Sequence, residues 1–468
     1  CSVIQNPFAM NSLNPLPLEV VILAAGKGKR MFSDTPKVLH KVAGRPLLQH
    51  VVDSALALQA RAVHIVVGHE AHQIQSSFQS APVQWAMQSE QLGTGHAVAQ
   101  AIPQVNDESL VLVLYGDVPL IKASTLNSLV ALAQSGALAV LTLKSADPTG
   151  LGRIIRDTNG NAIAIVEEKD ANTEQKKIRE TNSGILAVKA SQLRQWLGQL
   201  KNDNAQGEYY LTDIVALAVV QGLKVETLMV DDELEVLGVN NKVQLAQLER
   251  HYQRRIAQQL LESGVTLADP SRIDVRGELL CGRDVEIDIN CIFEGKVVIG
   301  NRVRIGPNVC IKNATIGDNS VVHANSHIDG TNIGAECFVG PFARLRAGTV
   351  LNTGSKIGNF VETKKAVIGP GSKVSHLSYV GDAIIGRDVN IGAGTITCNY
   401  DGVNKFETLI EDNVFVGSNT ALVAPVKIGE NATIGAGSTI TGDVPGKHLA
   451  IARGRQRNIE GWEKPVKK

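Results

Sequence analysis

Aromatic side chains make up only 4% of the 468 residues, so the interior must be filled by aliphatics, which are plentiful enough at 44% total hydrophobic content to exclude disorder as the main state. Net charge is absent too, with 46 Lys+Arg against 46 Asp+Glu. A chain without a global field is not drawn to nucleic acid or to anionic lipid, so any anion site must be local and its ligand small, for example a phosphorylated metabolite. No run approaches the roughly 18 apolar residues of a membrane helix, and the N-terminus lacks a basic stretch followed by an apolar core. The expectation is a cytoplasmic protein with neither membrane nor nucleic-acid partners. The six cysteines (Cys1, Cys281, Cys291, Cys310, Cys337, Cys398) form no C-x-x-C pair, which points to reduced, mostly buried thiols and away from zinc or disulfide use.

Glycine is abundant, at 44 residues, and demands many tight backbone turns. Length alone suggests two or three domains. From Val20 to about Val239, short aliphatic runs (Val20–Ala25, Val63–Val67, Leu110–Leu114) alternate with amphipathic stretches such as Leu47–Leu58. Runs of that kind suit strands buried on both faces and covered by helices, a doubly wound α/β domain with a parallel sheet. A polar segment follows, with Leu245, Leu248, Tyr252, Ile256 and Leu260 at helical spacing and Gly264 as a stop, which reads as a linker helix. Beyond Gly264 aliphatics recur every six residues: Ile299, Ile305, Ile311; Ile333, Val339, Leu345, Leu351, Ile357; Ile410, Val416, Leu422, Ile428, Ile434, Ile440. Neither a helix nor independent hairpins has that period, whereas a coil of short flat faces stacks one aliphatic inward per face, so this half is a parallel β-helix. A polar insertion at Cys398–Lys405 breaks the register and should form a loop on the binding side. The expected layout is a tail over 1–19, whose first nine residues precede Met10 and are set aside from the fold as upstream sequence or disordered, a first domain over 20–240, a linker helix over 241–263, a β-helix over 264–453 and a C-terminal tail over 454–468.

In the first domain, Leu23-Ala24-Ala25-Gly26-Lys27-Gly28-Lys29-Arg30-Met31 leaves the first strand, with Pro36-Lys37 close behind. Small residues there let backbone N–H groups approach a phosphate or base edge. Walker A is excluded, and Met31 stands where the dinucleotide fingerprint needs its third glycine. Four cations (Lys27, Lys29, Arg30, Lys37) favour a triphosphate over a merely structural turn. Asp117, directly after the run Leu110–Leu114 and Tyr115, sits where open α/β sheets bind ligands, and Mg2+ takes one or two carboxylates plus substrate phosphates. A turn or helix-capping role is the alternative. Gln88, Gln91, Gly93 and Thr94 offer amides and a hydroxyl suited to a base edge.

Gly26-x-Gly28-x-x-Met31 with Pro36-Lys37, QxxQLGTGHA at 88–97, YGDVPL at 115–120, DPTGLGRI at 147–154, GEYYLTD at 207–213 and GVNN at 238–241 resemble the sugar-phosphate nucleotidyltransferases. With the hexapeptide half, the chain from Val20 to Lys468 resembles the bacterial bifunctional N-acetylglucosamine-1-phosphate uridyltransferase/glucosamine-1-phosphate acetyltransferase family. The resemblance implies a Rossmann-like α/β nucleotidyltransferase domain and a left-handed parallel β-helix of hexapeptide repeats. It places the nucleotide and sugar on Leu23, Ala24, Ala25, Gly26, Gln88, Gly93, Thr94, Tyr115, Gly152, Glu167, Asn182 and Asn240, and Mg2+ on Asp117 and Asn240. Arg30 and Lys37 would neutralise charge during in-line attack of a sugar 1-phosphate on the α-phosphorus of UTP. Lys29 departs from the family's threonine, replacing a hydroxyl by a cation.

In the β-helix, Pro341–Arg346, Glu362–Lys365 and His376–Tyr379 carry polar residues about one coil apart, so Arg346, Lys364 and His376 are expected to stack into one pocket for a phosphate monoester and its amine. Acetyl transfer from a thioester to an amine needs a base, and histidine is the side chain suited to the task near neutral pH. By resemblance, His376 is that base, Tyr379 and Asn390 meet the sugar, and Asn399 and Tyr400 lie beside the base and acetyl group. Ala393, Ser418, Ala436 and Arg453 lie along acetyl-CoA. Ala347, where proline is usual, should have only a local backbone effect. The segment from Lys447 carries seven Lys/Arg against two Glu and reads as a solvated tail or as a partner for coenzyme A or a neighbouring subunit. The resemblance also implies a homotrimer with a shared acetyltransferase pocket. Two rival readings are a nucleotidyltransferase with a non-catalytic β-helical scaffold, and a binding subunit with degenerate sites.

Overall fold

The computed structural model describes residues 15–68 and 70–467, and the expectations for residues 1–14 lie outside them. The chain divides into two compact units at Tyr252/Gln253, inside the helix Lys242–Glu262.

The first unit is built on a 9-stranded sheet whose main path runs Val225–Val230, Leu138–Lys144, Glu180–Lys189, Leu110–Tyr115, Leu18–Leu23, Ala62–Val67, Gln84–Met87. The first strand begins at Leu18, inside the segment expected to be tail, and Leu16 is tied down by paired bonds with the Gln134 side chain. The aliphatic runs are buried on both sides as their patterning requires: Ile22, Ile65 and Leu112 belong to one core layer, Val21, Val66 and Val113 to the other. One feature corrects the all-parallel expectation. Glu180–Lys189 runs antiparallel to both its neighbours, and a hairpin of Arg153–Arg156 with Ala162–Val166 hangs from it. The first half of Glu180–Lys189 is polar and only Ile185–Val188 form a continuous buried run, while Ala162–Val166 is only partly buried, so these strands stand out less in the sequence than the parallel core strands.

In the second unit, parallel strands of two to nine residues stack coil upon coil into a β-helix. Val339 pairs with Ile357, Ile357 with Val374, Val374 with Ile391 and Ile391 with Val416, all nearly inaccessible. The hexad aliphatics therefore form one continuous core, closed at its start by Ala257 and Leu260. Asparagine is the commonest non-glycine residue at the left-handed positions of the β-helix, including Asn308, Asn325, Asn419 and Asn431, because a short amide side chain tolerates positive φ. The glycines that follow the aliphatics serve another purpose. A Cβ at Gly317 would lie 2.6 Å from the Ala335 amide of the next coil. Ile357→Ala should cost about 2–5 kcal/mol, read as a lowered midpoint in thermal or denaturant unfolding of the β-helix.

Of the described cysteines, Cys291 and Cys337 are buried, whereas Cys281, Cys310 and Cys398 are only half-buried, fewer buried than expected. All five are free thiols, and burial pushes Cys281 and Cys291 up to about 11, so neither is a thiolate at neutral pH.

Candidate functional site

The turn after the first strand opens a cavity of about 200 Å3 lined by Ala24, Ala25, Gly26, Lys27, Lys29 and Lys37. Ala24 donates its N–H to Val66 O at 2.8 Å and so keeps the chain on the sheet, with Leu23 still in the strand beside Tyr115. Among the described residues Lys27 and Lys29 have no carboxylate partner, which leaves their charge available to an anion. The cation added at Lys29 therefore lines the same cavity as the cations expected from the motif.

Beside that cavity, four expected residues converge. Lys37 Nζ contacts Asp117 Oδ2 and lies 3.4 Å from Asn240 Oδ1, and Arg30 Nη2 donates to the same Asn240 oxygen at 3.0 Å. The Val239 amide donates to Asp117 O at 2.9 Å, holding the two loops together. Asp117 and Asn240 thus present oxygens to one cationic position. A carboxylate and a carboxamide suit a hard divalent cation completed by substrate phosphates, so the donors fit Mg2+. Sequence reasoning missed Gln244, whose Oε1 accepts from the Asn240 amide at 2.8 Å while its own amide donates to Asn241 Oδ1 at 2.9 Å. The signal was there as Asn241-x-x-Gln244, a capping pattern at the start of the long helix.

The base candidates follow the end strand Gln84–Met87, and the sugar candidates lie around the antiparallel strand and its hairpin. Gln88, nearly inaccessible, donates to Gly93 O at 3.2 Å. Gly93 has φ +111° and a Cβ there would lie 2.6 Å from Tyr209 O, so only glycine fits. Thr94 Oγ1 accepts from the Leu211 amide at 3.1 Å and also bonds Tyr115, whose hydroxyl is pushed far up by burial. The Asn182 backbone N–H donates to Gly152 O at 2.9 Å, and Glu167 accepts from Thr212 Oγ1 at 2.9 Å. Burial, reinforced by Asp213, Asp170 and Glu208, raises the Glu167 carboxyl above the ordinary range. Arg153, also missed, is 2% exposed and bonds Leu151 O and Glu168 Oε2, tying the Gly152 turn to the Glu167 turn. Its signal was a cation inside the DPTGLGRI motif.

In the β-helix the expected residues fall into two columns. Arg344 pairs with Glu362 and Glu362 with Tyr379; two residues on, Arg346 aligns with Lys364 and Lys364 with Gly381. Arg346 Nη1 donates to Glu362 Oε1 at 2.9 Å. The Lys364 ammonium is lowered mainly by Lys405 of the inserted loop and further by Arg346, so three cations crowd one patch. The Cys398–Lys405 insertion does form a loop, closed by a Tyr400–Lys405 bridge, with Asn399 bonded to Asp382 and Tyr400 OH donating to Gly402 O at 2.5 Å.

His376 does not stack with Arg346 and Lys364, contrary to expectation. It ends the strand Lys373–His376 on another face, aligned with Asn359. Its column continues downward through backbone bonds: Gly394 N to His376 O, Asn419 N to Ala393 O, Gly437 N to Ser418 O. Ala436 follows, and Arg453 Nη1 donates to its carbonyl at 2.5 Å. So His376, Ala393, Ser418, Ala436 and Arg453 line one corner, while Asn390, paired with Lys373 and Phe415, lies on the face leading into it. His376 Nδ1 is 2.7 Å from Asn359 Oδ1; with Nδ1–H donating there, Nε2 keeps its lone pair. Asn359 was missed and left no motif.

Comparison with known proteins finds matches along both halves of the chain. Residues 20–206 match the MobA-like NTP transferase domain, 275–356 the GMPPB C-terminal domain and 407–442 the bacterial transferase hexapeptide repeats. The chain is 60% identical over 451 residues to the bifunctional protein GlmU of Marinobacter nauticus, covering 96% of this chain and 99% of that one. It is 57% identical to that of Aromatoleum aromaticum and 56% to that of Legionella pneumophila (strain Paris), with 96% of this chain and 99% of each relative covered.

Proposed function

The chain belongs to the bifunctional GlmU family, and on that premise we propose that its two activities reside in the two clusters described above. It is an enzyme of UDP-N-acetylglucosamine synthesis, the nucleotide sugar that feeds peptidoglycan precursors. It acetylates glucosamine 1-phosphate with acetyl-CoA and then transfers UMP from UTP to N-acetylglucosamine 1-phosphate, releasing pyrophosphate. We assign uridyl transfer to residues 20–240, the linker helix to 241–263 and acetyl transfer to 264–453.

The convergence of Lys37, Arg30, Asp117 and Asn240 carries the first assignment. Asp117 and Asn240 would hold Mg2+, which supplies charge neutralisation to the phosphates. Around it, the Ala25–Gly26 turn, Lys27 and Lys29 take the triphosphate, and Gln88 with Gly93–Thr94 takes the uracil edge. Tyr115, Gly152, Glu167 and Asn182 take the sugar. Arg30 and Lys37 stabilise charge that develops on the transferring phosphoryl group. In the β-helix, Arg346 and Lys364 fix the sugar phosphate beside Tyr379, with Asn390 also on the sugar. His376 Nε2 takes the proton from the amine as nitrogen attacks the thioester. Asn399 and Tyr400 lie at the acetyl group, and Ala393, Ser418, Ala436 and Arg453 along coenzyme A.

We further assign a homotrimer in the cytoplasm. Support for the assembly comes from an apolar column on the β-helix surface, where Phe342 and Phe360 stack at 5.3 Å, both exposed, next to Leu377. A pocket completed by a second subunit would also reconcile the separate columns of His376 and Arg346–Lys364. Among the described residues no helix is long and apolar enough to cross a membrane. The test supplies glucosamine 1-phosphate, acetyl-CoA and UTP together and omits each in turn. Omitting acetyl-CoA should stop both products, whereas omitting UTP should leave N-acetylglucosamine 1-phosphate to accumulate.

Glu167 gives a pH signature. An ionised carboxylate accepts hydrogen bonds from sugar hydroxyls, and burial raises the Glu167 pKa above that of an ordinary glutamate. KM for N-acetylglucosamine 1-phosphate should therefore rise as pH falls toward that raised value, before ordinary carboxylates protonate. In Glu167→Gln, steady-state kinetics across pH should lose that acidic limb.

A further inference from the structure

Lys37 holds the two oxygens assigned to the divalent cation. Its Nζ contacts Asp117 Oδ2 and reaches Asn240 Oδ1 at 3.4 Å, with only 15% of the Lys37 side chain and 14% of the Asp117 side chain exposed. The ammonium sits between one carboxylate oxygen and the carboxamide oxygen, the position that a magnesium-like ion bridging the two residues would take. Two cations sharing one half-buried carboxylate repel each other strongly at such separations. Lysine is also the cation best able to leave, being a compact charge on a flexible four-carbon stem. Arg30 differs: it is bonded to Asn240 and not to Asp117, so it can stay when the carboxylate changes partner. Lys37 also lines the cavity with Lys27 and Lys29, so the released ammonium has an anion site beside it.

We propose that the Lys37 ammonium and a divalent cation are mutually exclusive occupants of the Asp117–Asn240 oxygen pair, so that a metal arriving with the nucleotide releases Lys37 onto the phosphates. The inference rests on the assignment of that pair as the metal site. Its consequence is an order of events. Lys37 disfavours metal binding without nucleotide, and the nucleotide's phosphates, by offering the ammonium a new anionic partner, make the exchange favourable. Asp117 then carries a counter-ion in both arrangements, and Lys37 reaches the reacting phosphate only when the metal is in place.

The test uses Mn2+ alone, titrated into the full-length protein without nucleotide and followed by the electron paramagnetic resonance of free Mn2+. Lys37→Met should bind Mn2+ on the order of tenfold more tightly than the parent, a coupling of ordinary size, although its uridyl transfer falls. Lys37→Gln should show the same gain, and a parental far-ultraviolet circular dichroism spectrum with a cooperative unfolding transition reports that each variant is folded. Adding Asp117→Ala to Lys37→Met should remove the gain. If Lys37→Met and Lys37→Gln bind Mn2+ no more tightly than the parent while Asp117→Ala weakens binding, the exchange is wrong and the metal assignment stands. If the double variant keeps the tight binding of Lys37→Met, the metal lies elsewhere and the assignment itself fails.

Discussion

Asp117→Ala is expected to lower UDP-N-acetylglucosamine formation by at least about 10³-fold while leaving acetylation of glucosamine 1-phosphate unchanged. Among the described residues the carboxylate is the one anionic group paired with Lys37, and its backbone carbonyl is fixed by the Val239 amide. Substitution keeps that backbone bond and removes only the charge, so the loop should keep its course. Two losses then coincide. The metal site drops to a single carboxamide oxygen at Asn240, too weak to retain a divalent cation against water. Lys37 also loses the partner that positions it. Since uridyl transfer relies on alignment and on neutralising phosphate charge rather than on covalent catalysis, little remains to replace either contribution. Pyrophosphate release from UTP and N-acetylglucosamine 1-phosphate measures the loss, and thiol release from acetyl-CoA serves as the internal control. Uridyl transfer at the parental rate in the purified variant would refute the assignment of Asp117.

Legibility from the sequence followed the length over which a pattern repeats. Six-residue periodicity recurs in blocks from Ile299 to Ile440 and so spans several coils, local noise averages out, and the β-helix is unmistakable. The antiparallel strand Glu180–Lys189 left no such record, since strand direction is set by which neighbours it meets across the sheet. Asp117 and Asn240 could be named singly from their motifs, yet the convergence of Lys37 and Arg30 on them depends on loops brought together from distant positions. Gln244 acts through a backbone amide, and Asn359 through a histidine ring one coil away, so neither belongs to a motif of its own. The misplaced stacking of His376 has a simple cause. From Arg346 to Lys364 is one whole coil, but from Lys364 to His376 is only two of its three faces, which turns the histidine onto a different side.

The mirror experiment is His376→Ala, expected to reduce acetylation of glucosamine 1-phosphate by about 10²–10⁴-fold, the usual worth of a positioned base, with uridyl transfer from supplied N-acetylglucosamine 1-phosphate intact. An ammonium cannot attack a thioester until it has lost a proton, so the base acts at the start of the bond-forming step. Asn359 Oδ1 accepts from Nδ1 and directs the free Nε2 lone pair outward, and the exposed ring needs no packing rearrangement when it is removed. Its backbone carbonyl, which accepts from Gly394, remains in the alanine variant, so the corner leading to Ala393 and Ser418 persists. Affinity for acetyl-CoA should accordingly stay near the parental value while turnover collapses, a split that separates loss of the base from loss of the corner. Asn359→Ala should fall between parent and His376→Ala in turnover, because the ring then rotates freely and presents the correct tautomer only part of the time. A parental acetylation rate in His376→Ala would remove this residue as the base and return the acetyl site to the Arg346–Lys364 patch alone.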